Sequence, residues 1–211
     1  EVNIGFTYSK TNWTNDNIGV TITNKTGNNT YKIEFKHGGQ EVWEEYTRPI
    51  NMEHNGYIYA RLKDSTGQVG GYATGNVLNI DKLPPNPFTP IATSTHNSIN
   101  ITASTTDQVA TSQNGCSGGI QYRFQSGDGS WSDYQTNENF TFNNLVAGTN
   151  YTITVEAKDV AGNTTTGTVT IKTKATYMVT YNNNGGTGAP PSQTKIEGTH
   201  LTLSAKKPTR V

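Results

Sequence analysis

The chain has 211 residues, 31% of them hydrophobic and 15% charged, and its sixteen basic and sixteen acidic residues cancel. That balance excludes the basic field with which a protein holds nucleic acid or an anionic membrane. Low hydrophobicity without high net charge is not the composition of a disordered chain, so folding around thin cores is expected.

No apolar run approaches the roughly 18 residues needed to span a bilayer. The opening Glu1-Val2-Asn3-Ile4 has neither the basic start nor the apolar stretch of a signal peptide, and no Met leads it. The chain is therefore expected to be an excised or mature segment. Cys116, the single cysteine, has no partner for an internal disulfide. Either the compartment is reducing, or the protein is an exported bacterial one of the kind that avoids cysteine.

Along the chain, apolar residues nowhere recur at helical spacing over ten or more positions, whereas alternation of period two is frequent. It predicts strands over residues 18–23, 32–36 and 57–62, and again over 98–102, 121–124, 152–157 and 168–172. Between these lie two copies of one pattern. Gly38-Gly39, then Trp43 and Tyr46, then Asp64-Ser65-Thr66-Gly67, reappear as Gly127-Asp128-Gly129, Trp131 and Tyr134, and Asp159-Val160-Ala161-Gly162. The offset is 88 residues at the tryptophans (43 to 131) and 95 at the aspartates (64 to 159), the size of a small domain. Asp at the first position and Gly at the fourth suit a type I turn closing a hairpin, and the glycine pairs suit hairpin tips. The two aromatics of Trp-x-x-Tyr stand an odd number of positions apart. Unless a bulge intervenes, one should enter the core and the other cover the outside. The proline-rich stretch Asp81-Lys82-Leu83-Pro84-Pro85-Asn86-Pro87 marks a stiff domain boundary. A second junction is expected near Thr173-Lys174-Ala175-Thr176. The fold class read from these features is all-β, two tandem antiparallel sandwiches with a small β remainder.

Three family resemblances sharpen this reading. Asn144 to Asp159, with Leu145 six residues before Tyr151, Gly148-Thr149 between them and an alternating strand ending Ala157-Lys158-Asp159, resembles the fibronectin type III signature. The likeness covers residues 84–174 and implies a tyrosine corner at Tyr151. Residues 1–83, with Trp13-Thr14-Asn15, Trp43, Tyr46 and Asn55-Gly56-Tyr57-Ile58-Tyr59-Ala60-Arg61, are similar to the immunoglobulin-like modules of large bacterial surface proteins. Residues 177–211, opening Tyr177-Met178-Val179-Thr180-Tyr181 and carrying Asn184-Gly185-Gly186, resemble the start of an internalin-type B repeat, also called the Listeria–Bacteroides repeat. The family's closing Gly-Tyr and Gly-Trp segments are not in this chain, so a loosely held half-module is expected.

Candidate chemistry is weighed against structural roles. Gly115-Cys116-Ser117-Gly118-Gly119 matches Gly-x-Ser-x-Gly, but a strand follows it where a nucleophile elbow needs a helix. No basic neighbour in sequence lowers the Cys116 pKa. His37, His54, His96 and His200 are scattered, Glu41, Glu44 and Glu45 read as a charged strand edge, and Asp128 and Asp133 read as turn acids. Seven Asn-x-Ser/Thr sequons, at Asn12, Asn24, Asn28, Asn100, Asn139, Asn150 and Asn163, follow from an Asn- and Thr-rich composition. No catalytic, cofactor-binding or metal-binding residue is assigned, and no cofactor is expected. Structural roles fall to Trp43, Tyr46, Asp64, Gly67, Trp131, Tyr134, Leu145, Tyr151, Asp159 and Gly162, and Tyr46 and Tyr134 are the candidate ligand contacts. The expectation is a non-catalytic, monomeric spacer or adhesion segment of a bacterial surface protein, extracellular, on the cell wall or secreted. The alternatives are a module binding a cell-wall or host glycan or a host protein, and the accessory part of a secreted polysaccharide-degrading enzyme.

Overall fold

A computed structural model describes residues 3–210, and every regular element among them is a strand. The chain separates into two compact units that are not contiguous in sequence. The first holds residues 1–86, 105–120 and 157–165; the second holds 87–104, 121–156 and 166–211.

In the first unit, β1 (Ile4–Tyr8), β2 (Ile18–Asn24) and β5 (Ile50–Met52) form a sheet in the order β1-β2-β5. Opposite it lies a second sheet, ordered β4-β3-β6-β7, from β3 (Lys32–His37), β4 (Glu44–Glu45), β6 (Gly56–Lys63) and β7 (Val69–Val77). Alternation decides which residues meet between the sheets. Ile18, Val20 and Ile22 of β2 face Ile58, Ala60 and Val77, all at most 2% exposed. Two tyrosine hydroxyls tie the layers at their edges. Tyr46 Oη accepts a hydrogen bond from the Ile22 amide at 3.1 Å, and Tyr8 Oη accepts one from the Asn76 amide at 3.1 Å. The 105–120 loop joins this unit through Gly115, whose amide donates to the Ile80 carbonyl at 2.8 Å. A side chain at 115 would meet the Trp13 ring at 2.2 Å, so the loop docks where it does because that residue has none.

In the second unit, β8 (Ile91–Ser94), β9 (Ile99–Thr102) and β11 (Asn139–Phe142) are ordered β11-β9-β8. They face β10 (Gln121–Ser126), β12 (Asn150–Lys158) and β13 (Thr164–Lys172), ordered β10-β12-β13, of which β12 up to Glu156 and β13 from Thr166 belong to this unit. Ile99, Ile101, Tyr122, Phe124, Ile153 and Val155 fill the space between, and Phe124 stacks on Phe140 across it at 5.0 Å. In both units two antiparallel sheets face each other across an apolar layer, the arrangement of a β-sandwich. In the tail, β14 (Thr176–Val179) pairs antiparallel with β15 (Gln193–Ile196), and Thr187 bridges to Thr209.

Gly75 on β7 is fixed by packing. A Cβ there would lie 2.6 Å from the Phe6 ring, inside the first core. Gly75→Ala should therefore destabilise the first sandwich by about 1–3 kcal/mol, read as a lower urea midpoint. Gly70→Ala, on the same strand with open space around its Cβ, serves as the control and should leave the midpoint nearly unchanged.

Candidate functional site

The twice-written pattern resolves into an aromatic pillar and a turn. In the first unit Trp43 lies on the outer face of β4-β3-β6-β7, with the Arg61 guanidinium 4.2 Å and the Lys36 ammonium 5.3 Å from its ring centre. Glu34, only 13% exposed, pairs with Arg61 at 2.7 Å and Lys63 at 3.1 Å. Burial raises the Glu34 carboxyl, but the hydrogen bonds from Arg61 and Lys63 outweigh that and hold it below its ordinary value. The second unit repeats the construction. Arg123 lies 4.5 Å from Trp131 and 4.9 Å from Tyr134, and pairs with Glu156 at 2.7 Å. Neither arginine stands out in the sequence. Arg61 stands at period two from Tyr57 and Tyr59, and that spacing was the available signal.

The two tyrosines of the motif part company. Tyr46 is turned inward, its ring edge-on to Phe35 at 6.2 Å and its hydroxyl committed to Ile22. This candidate ligand contact is half-buried and stands at the margin of the core. Tyr134 stays on the same side as Trp131, the exception that a bulge allows. The cause is an extra residue. Ser132 N donates to Phe124 O while Tyr122 and Gln135 exchange both backbone bonds, so three steps on one strand oppose two on the other. This bulge reverses the alternation. The Tyr134 hydroxyl donates to Glu156, and burial first, then that carboxylate, pushes its pKa up to about 12. Leu145 is half-buried, with its amide donating to the Asn97 carbonyl at 2.9 Å, and the Tyr151 hydroxyl accepts from the Val146 amide at 2.9 Å.

The two aspartate turns also diverge. Asp64 Oδ1 accepts from the Thr66 and Gln68 amides, both at 2.9 Å, in an exposed hairpin with Gly67 at φ 89°. Asp159 Oδ1 accepts from the Gly162 and Asn163 amides, with Gly162 at φ 98°, but Asp159 is only 3% exposed. It converges with Asp81, fully buried, and Asp107, so that one carboxylate oxygen from each lies within 4.8 Å of the others. Asp81 accepts from the Ser117 amide at 2.7 Å and Asp107 from the Gly118 amide at 2.7 Å. This all-oxygen donor set, of the kind that suits a hard cation such as calcium, is the one group of three ligating side chains brought together among the described residues. The turn acids Asp128 and Asp133 are not in it. The Gly115–Gly119 segment serves the same region: Ser117 Oγ accepts from the Ala161 amide at 3.1 Å, and burial followed by Asp107 pushes the Cys116 thiol up. Both features oppose a nucleophile there.

The family model described as Y_Y_Y domain matches residues 117–175. No curated protein matches the chain. Similar solved structures include the FN1–FN3 domains of chicken CNTN1 (16% identity, TM-score 0.35, 79% of this chain and 65% of that one) and the A168–A170 domains of titin (14%, 0.47, 81% and 65%). A third set is the fibronectin(III)-like modules of Clostridium thermocellum CbhA (18%, 0.41, 80% and 94%). The chain spans just under two thirds of the first two.

Burial pushes the Asp159 carboxyl above its ordinary 3.8, so its folded pKa exceeds the unfolded one. Its ionisation then opposes folding at neutral pH, and that opposition is relieved as pH falls from 7 towards 3.8. In EDTA, the difference in Tm between Asp159→Asn and the parent should therefore move against the variant as pH is lowered from 7 to 4.5. A difference constant with pH would contradict the assignment.

Proposed function

We propose that the chain is a non-catalytic spacer segment of an extracellular, bacterial surface protein. It would consist of an immunoglobulin-like sandwich, a fibronectin type III sandwich and the opening of an internalin-type B repeat, and would serve to present neighbouring domains. The observation that carries the proposal is where the conspicuous side chains go. Trp43, Arg61 and Glu34, like Trp131, Arg123 and Glu156, hold each other against a sheet face, and Ser117 and Asp159 are occupied by backbone amides in loops. Groups of the kinds that catalysis uses are employed here in stiffening sheet faces and closing loops.

The spacer reading is tested by display. The 211-residue chain is inserted between an exported reporter domain and a cell-wall anchor on a bacterial surface, and antibody access to the reporter is measured on intact cells. Access should rise with the insert and rise equally when residues 1–174 are exchanged for an unrelated tandem of sandwiches of the same length. No rise, or a rise lost on exchange, would refute it.

A further inference from the structure

The outer face of the sheet β4-β3-β6-β7 carries more than the Trp43 pillar. Strand register places Lys36 opposite Tyr59, Tyr59 opposite Thr74, Arg61 opposite Tyr72 and Tyr57 opposite Asn76. These side chains all point away from the core, because the alternate positions Ile58, Ala60, Gly75 and Val77 are the buried ones. Tyr72 is 60% and Tyr57 50% exposed. The Tyr59 and Tyr72 rings meet edge to face at 5.4 Å, which holds both upright on the sheet. The result is a row of rings interleaved with hydrogen-bonding side chains.

The charges on this face are nearly all matched. Arg61 and Lys63 share Glu34, and Lys32 pairs with Glu45 at 3.0 Å. Lys36 is the exception: among the described residues it pairs with no carboxylate and lies over the rings of Trp43 at 5.3 Å and Tyr59 at 5.9 Å. One cation is thus left over two aromatic rings.

We infer that this face is a binding site for a carboxylated polysaccharide, whose sugar rings lie on Tyr57, Tyr59 and Tyr72 while a carboxylate meets Lys36. A tyrosine ring offers an apolar face and a polar tip together, which suits a sugar's C–H face edged by hydroxyls. A carboxylate reaching Lys36 gains a charge-assisted bond. A single unmatched cation fits a ligand with sparse charge. Nucleic acid carries a phosphate on every nucleotide and calls for a stripe of cations. The core of a protein–protein interface is depleted in lysine, whereas here Lys36 stands among the rings. The site is independent of the spacer role, and either can fail without the other.

Affinity electrophoresis of the full chain through gels containing polygalacturonate, hyaluronan or polysialic acid tests the proposal. At least one should retard the protein, with retardation weakening as salt is raised, and the methyl ester of the retarding polymer should retard it less. Tyr72→Ala should weaken binding by about tenfold, as expected for loss of an aromatic anchor. Tyr57→Ala should weaken it measurably, Tyr72→Phe should keep most of it, and Lys36→Gln should remove the salt dependence. Thermal unfolding of each variant confirms folding; should Tyr72→Ala not fold, Tyr57→Ala and Lys36→Gln decide. Retardation by none of the three polymers, equal retardation by the ester, indifference to the tyrosine variants, or stronger binding of oligothymidylate would each overturn it.

Discussion

Both sandwiches depend on one narrow apolar layer held between two sheets. With 31% hydrophobic residues, the chain cannot fill a broad core. It concentrates Ile, Val and Phe at alternate strand positions so that one side of each sheet is apolar. Everything else rests on that layer. It fixes which side chains of β6 point outward, it brings Tyr8 and Tyr46 close enough to bond amides of the facing sheet, and it makes Gly75 necessary beside Phe6.

The outward faces are then stiffened by charged and aromatic side chains. Trp43 over Arg61 and Trp131 over Arg123 cover guanidinium groups that are simultaneously bonded to half-buried glutamates. An exposed ion pair contributes little by itself. Shielded by an indole, and with the arginine's planar fork already oriented, the pair loses less to solvent and to side-chain entropy. Acid acts oppositely at two places. Glu34, held below its ordinary value of 4.5, contributes stability that is lost as pH falls through its folded pKa, whereas Asp159 stops opposing folding over the same descent.

The same motif serves two ends because its surroundings differ. Asp64-Ser65-Thr66-Gly67 caps an exposed hairpin, and Asp159-Val160-Ala161-Gly162 caps one whose aspartate is buried beside Asp81 and Asp107. The turn geometry belongs to the four residues themselves. The convergence of three acids depends on the 105–120 loop and the 157–165 hairpin both packing with residues 1–86. Asp107 is 26 residues from Asp81 and 52 from Asp159 in sequence, so spacing alone gives no sign of it.

By itself, the sequence determined the all-β class, the hairpin turns and the long strands β2, β6, β12 and the end of β13, but not the nine-residue, glycine-rich β7. These are local properties: alternation over β2, β6 and β12 and Asp-x-x-Gly at two corners are written in consecutive residues. The strands β5, β8 and β11, of three or four residues, are too short to alternate visibly and exist because a partner strand supplies their hydrogen bonds. The outward direction of Tyr57, Tyr59 and Arg61 was legible from period two, but not their company with Trp43, Lys36 and Tyr72, which cross-strand register sets. Tertiary structure alone decided that Tyr46 turns in while Tyr134 stays out. A single extra residue opposite Tyr122 and Phe124 reverses the parity, and a bulge is a property of two strands together rather than of either one.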